Sequence, residues 1–165
     1  MSGILARPPA APEAPRAKRL NAPLLVLLWW LLGIEAAGGL VVFFMRLATG
    51  HLPGESLHVL VGAPLTLVYA TYQWQHWGRV EPWRNRLDYA MGLIAALSMG
   101  ATLATGYWLA WPWWQVRVVA RATGPIAYPT PVSAAHNIMS MLVLTFVGAH
   151  LAAVLLRDAA AAKRR

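Results

Sequence analysis

PVSAAHNIMSMLVLTFVGAHLAAVLL, residues 131–156, decides the fold of this chain. The run holds no Asp, Glu, Lys or Arg over 26 residues, more than the roughly 20 that an α-helix needs to cross a hydrocarbon core. Thr130 stands ahead of it as a cap and Pro131 falls in its first turn, where a missing N–H costs nothing. Two histidines, His136 and His150, interrupt the apolar pattern. Ionisable or metal-ligating side chains at membrane depth are costly and mark function by default.

Working outward, three more runs read as spans. Residues 22–45, APLLVLLWWLLGIEAAGGLVVFFM, are too long for the apolar part of a cleaved signal peptide and read as an uncleaved first anchor. Residues 56–77, SLHVLVGAPLTLVYATYQWQHW, carry His58, His76 and Pro64; membrane helices tolerate such a proline when neighbours satisfy the freed carbonyl. Residues 87–111 form the third span. The fold class expected is therefore all-α, an integral membrane four-helix bundle occupying residues 22–158. Residues 1–21, rich in Pro, Ala and Arg without apolar period, read as a disordered cytoplasmic tail, and residues 159–165 as a short basic one.

Composition agrees with the spans. Of the 165 residues, 58% are hydrophobic and 12% charged, too little polar surface for a chain solvated by water. The net charge of +8 comes from cations in short blocks between apolar runs, unlike the basic face of a nucleic-acid-binding fold, so no nucleic-acid partner is expected. Trp29, Trp30, Trp74, Trp77, Trp83, Trp108, Trp111, Trp113 and Trp114 cluster near span ends, where indole rings prefer the headgroup level. The absence of cysteine excludes disulfides, iron–sulfur clusters and thioether-attached haem.

Orientation follows from the cations. With both termini inside, 11 of the 14 Lys and Arg residues fall on the cytoplasmic side and Arg46, Arg117 and Arg121 fall outside, a clear positive-inside bias. The second and fourth spans then run parallel, so His58 and His136 share an outer depth. His76 follows His58 by 18 residues, five full turns and about 27 Å of rise; His150 follows His136 by 14, about 40° short of four turns and about 21 Å. Each pair lies on one stripe of its helix, and the inner members, His76 and His150, differ in depth by about one turn. Two imidazoles on opposite faces of one iron make a six-coordinate haem suited to electron transfer. All four histidines are thus expected as haem ligands, with two haems b, or one if the inner pair is unused. Gly62, one turn below His58, is expected to let helix or macrocycle approach closely, as are Gly100, Gly106 and Gly148.

The chain resembles the four-helix, di-haem membrane cytochrome b superfamily, which includes the cytochrome b subunits of respiratory formate dehydrogenases and uptake hydrogenases and small stand-alone bacterial cytochromes. The resemblance covers about residues 21–158 and rests on His58-x-x-x-Gly62, the ending His76-Trp77, the pair Thr105-Gly106, and the 14-residue His136/His150 spacing, the most specific of these. Two departures stand out. The dehydrogenase-type branch often has an inner-haem ligand near the start of helix one, where residues 20–30 contain no histidine; in a related branch a histidine occupies the position of Tyr72.

The resemblance implies a multi-pass protein of the bacterial inner membrane. Its role would be to carry electrons through bis-histidine haems between a periplasmic-side donor or redox partner subunit and the quinone pool or a larger complex. Arg117 and Arg121, with Arg46, are expected near the propionates of the outer haem or an acidic partner. Glu35, in mid-span, is expected to be protonated or paired within the bundle, as a proton path to quinone or a structural bond. Asp88, Arg84 and Arg86 would border a quinone pocket, and the loop 112–130 would lie along the membrane or dock a subunit. His51 reads as an ordinary exposed histidine. Two other functions fit the same sequence: a superoxide-oxidising quinone reductase, and a haem-free scaffold subunit of a respiratory or photosynthetic complex.

Overall fold

The structure, a computed structural model, describes residues 23–77 and 87–163. Among these, every regular element is helical: α1 (Pro23–Thr49), α2 (Glu55–Trp77), α3 (Leu87–Trp113), a π-helical turn (Trp114–Val119) that prolongs α3, and α4 (Thr130–Ala162). The tail 1–21 and the cations Arg79, Arg84, Arg86, Arg164 and Arg165 lie outside the described residues. Three ends of the expected spans move, the first being α1, which continues past Met45 to Thr49. The third helix runs on past Trp111 through Pro112 into the π turn, and α4 continues to Ala162, so residues 159–162 are helix rather than tail.

Three helical stretches are long and apolar enough to cross a membrane: Pro23–Thr49, Leu87–Val119 and Thr130–Ala160. The second helix falls below that level because His58, Tyr69, Tyr72, Gln73, Gln75 and His76 dilute its leucines and valines. Its threonines close on their own helix, Thr66 Oγ1 donating to Gly62 O and Thr71 Oγ1 to Leu67 O, which hides both hydroxyls from an apolar surrounding. Large apolar side chains face outward on every helix, Trp30, Leu67, Trp108 and Leu156 among them, while the buried apolar core is thin: Leu28, Leu65, Ala95, Met99, Trp113 and Val143. A thin core beneath so many outward-facing large apolar side chains is the distribution of a protein whose solvent is lipid.

The helices form two hairpins. The chain turns between α1 and α2 over five residues, with Gly50 (φ 74°) and Gly54 (φ 80°) in the left-handed region that a side chain would strain. The closest packing joins α3 and α4, where Ala95, Ser98 and Ser133 are small enough for the backbones to approach. The hairpins touch each other lightly between α2 and α3, and that looseness leaves the interior space described below.

Three polar ties fix the ends. At the turn end, Trp113 Nε1 donates to Ser56 Oγ at 3.0 Å. Beside it Glu55 accepts from the Tyr128 hydroxyl and lies 3.5 Å from Arg117 Nη2. Burial, reinforced by the hydrogen bond to Glu55 and its charge, pushes the Tyr128 phenol well above its ordinary value. At the opposite end Arg157 pairs with Asp88, joining α4 to the first turn of α3.

Candidate functional site

The structure brings the four sequence-predicted histidines together as two pairs. The His58 and His136 ring centres lie 6.2 Å apart with planes at 73°, and those of His76 and His150 lie 6.4 Å apart at 86°. Both pairs join α2 to α4 in the same chain order, which requires these helices to run parallel. Pro64, between the two histidines of α2, removes one helical hydrogen bond and gives α2 a place to bend. The one-turn difference in rise is absorbed, since the His76/His150 pair closes nearly as tightly as the His58/His136 pair.

These separations have a chemical meaning. A first-row metal bonds imidazole nitrogen at about 2.0 Å, and the ring centre lies about 1.1 Å behind that nitrogen, so two imidazoles on opposite sides of one metal have centres about 6.2 Å apart. Both pairs match this spacing. No group of three or more His, Asp or Glu side chains is arranged to hold an ion among the described residues. Two imidazoles fill two positions of a metal and leave the others to further ligands.

Two of the rings carry an oxygen at Nδ1, as metal-ligating imidazoles commonly do. His136 Nδ1 lies 3.1 Å from the carbonyl oxygen of Thr102 and 3.1 Å from Thr105 Oγ1. His150 Nδ1 lies 2.7 Å from the carbonyl oxygen of Asp88. His58 Nδ1 lies 2.5 Å from Glu35 Oε2, a close ion-pair contact off the N–H axis, and the other carboxylate oxygen is buried without a partner. Glu35 is thereby paired inside the bundle. His76 stacks on Tyr72, ring centres 5.5 Å apart and planes at 15°.

Glycines make room for the rings. A Cβ on Gly39 would stand 3.3 Å from His58 Cε1, on Gly106 3.2 Å from His136 Cε1, and on Gly92 2.9 Å from His150 Cε1 and Nδ1. Of these, Gly106 is the one that the sequence singles out. The spacing that could have found Gly92 is its 14-residue distance from Gly106, equal to that of His136 and His150. Gly62, Gly100 and Gly148 have open space where a Cβ would stand.

A cavity of about 230 Å³ lies among all four helices around His58 and His136. Gly62 lines it, as do Arg46, Tyr128, Thr102 and Ser133. The side-chain oxygens of Thr102 and Ser133 are buried there without hydrogen-bond partners, as is Glu35 Oε1. Orphaned polar atoms around a cavity mark a place built for a polar occupant or an occupant with polar edges. Arg46 is the cation at this cavity. Arg117 instead donates to the carbonyls of Ala122 and Gly124 and so shapes the loop after the π turn. Arg121 ends that turn at φ 52° and is exposed, and neither arginine lines the cavity. His51 is exposed. Comparison with protein families, curated proteins and solved structures finds no match to this chain.

Proposed function

We propose that this chain is a membrane-bound electron carrier holding two b-type haems, one between His58 and His136 and the other between His76 and His150. The observation that supports this reading is the pair of ring separations, 6.2 and 6.4 Å, at two levels of the same helices. Haem iron with imidazole on both faces exchanges single electrons and leaves no position open to substrate. The chain's own residues prepare that site. The carbonyls of Thr102 and Asp88 hold the imidazoles of His136 and His150 by Nδ1, leaving Nε2 for ligation, and the Glu35 carboxylate stands beside Nδ1 of His58. Arg46 and Ser133 supply a cation and a hydroxyl at the cavity for the carboxylates of the nearer haem.

On this reading all four helices cross the bilayer, α2 included, its threonines closing on their own backbone and Tyr72 stacking on His76. The excess of cations in 1–21, 78–86 and 157–165 supports termini on the cytoplasmic side of a bacterial inner membrane. The His58/His136 pair then lies toward the outside, nearer an external donor or partner subunit. The His76/His150 pair lies toward the inside, and quinone is the membrane-soluble partner that such a carrier would serve.

The test is the dithionite-reduced minus oxidised absorption spectrum of the purified protein. A Soret shift with a sharp α-band of low-spin haem b is expected. A preparation transparent in the Soret region overturns the proposal and leaves the scaffold function in its place.

A further inference from the structure

Two of the four imidazoles are held by the same device, a third lies in a related setting, and the parts recur at a fixed spacing. His136 has its Nδ1 on the carbonyl of Thr102 and its ring against Gly106. His150 has its Nδ1 on the carbonyl of Asp88 and its ring against Gly92. His58 has its Nδ1 beside the carboxylate of Glu35 and its ring against Gly39. In each case the oxygen comes from residue i and the glycine is residue i+4 of one helix.

The spacing has a physical reason. In an α-helix the side chain of residue i+4 leans back toward the N-terminus and covers the turn that carries residue i. The carbonyl of residue i already accepts from the N–H of residue i+4 and keeps one lone pair free. A side chain at i+4 would stand over that lone pair, and a glycine uncovers it. On α1 the oxygen belongs to the Glu35 side chain, and the His58 ring lies against the glycine one turn on.

We infer that Gly92, Gly106 and Gly39 are positioning residues that seat His150, His136 and His58, and that α3 is a double seat. The register supports this: Asp88 and Thr102, Gly92 and Gly106, and His136 and His150 are each 14 residues apart, so the antiparallel α3 and α4 repeat one contact twice. Among the described residues no glycine lies against His76, whose ring rests on Tyr72 instead. This inference rests on the proposed haem ligation and adds the residues that aim the ligands.

The Cβ distances rank the effects. At Gly92 an added methyl would meet two atoms of His150 at 2.9 Å, and that ring is pinned by its 2.7 Å bond to Asp88 O, so the ring must leave its seat. At Gly106 and Gly39, with 3.2 and 3.3 Å, the ring need give only a few tenths of an ångström.

The experiment measures haem per chain and low-spin electron paramagnetic resonance on purified full-length protein. The variants are Gly92→Ala, Gly106→Ala, Gly39→Ala, and the controls Gly100→Ala and Gly38→Ala, where a methyl meets nothing within 4 Å. Expected are one haem in place of two for Gly92→Ala, with the remaining haem showing that the chain is folded. Two haems with one shifted g value are expected for Gly106→Ala and Gly39→Ala, and wild-type behaviour for the controls. Wild-type content and spectra in Gly92→Ala, or equal losses in the controls, overturn the inference. Should Gly92→Ala fail to accumulate, unchanged g values in Gly106→Ala overturn it. A wild-type chain without haem would instead remove the proposed function itself.

Discussion

Glu35→Leu separates the two demands made on a buried carboxylate. The Glu35 side chain is 10% exposed, with Oε2 at 2.5 Å from His58 Nδ1 and Oε1 without a partner. A buried polar atom left unpaired costs about 1–3 kcal/mol. Leucine, of similar volume, relieves that cost while depriving the His58 ring of its neighbour, so a net gain of about 1 kcal/mol in apoprotein stability is expected. Ligation should move the other way. Removing the oxygen behind a metal-ligating imidazole costs about 10–100-fold in affinity. The assay is haem titration into apoprotein in detergent, in a His150→Ala background that leaves only the His58/His136 pair, with thermal melting of the same apoproteins. Glu35→Gln, which keeps an acceptor oxygen, should fall between wild type and Glu35→Leu. Affinity unchanged in Glu35→Leu, or affinity and stability falling together, would refute the assignment of Glu35 to His58.

Asp88→Ala removes the ion pair with Arg157 but keeps the backbone carbonyl that holds His150. Haem content should stay at two per chain while stability drops by only about 0.2–1 kcal/mol, because the Arg157 side chain is one-third exposed. Tyr128 reports on pH. Its phenol holds its proton more tightly in the folded chain than at the ordinary value of 10.0, so its contribution is complete below pH 10 and is lost as pH rises further. Melting temperature between pH 7 and 11 should fall above pH 10 more steeply in wild type than in Tyr128→Phe.

The apolar runs and the histidine spacings were legible in the sequence because both depend on one helix at a time. Length against the hydrocarbon core and 100° per residue are enough to place His58, His76, His136 and His150 on inward stripes. What the chain does between helices was not legible. Gly39 and Gly92 are ordinary glycines until the antiparallel register sets them under His58 and His150. Glu35 announces only that it needs a partner, and the partner is 23 residues away on the next helix. The role expected of Arg117 moved for the same reason: the π turn points its guanidinium at the carbonyls of Ala122 and Gly124 and at Glu55, and leaves Arg46 at the cavity.

Haem per chain across single histidine variants tests the central claim most directly, read as pyridine haemochrome against protein concentration. The account predicts two in the wild type, one in His58→Ala or His136→Ala, and one in His76→Ala or His150→Ala. No haem in the wild type, or two retained in any of the four variants, would contradict it.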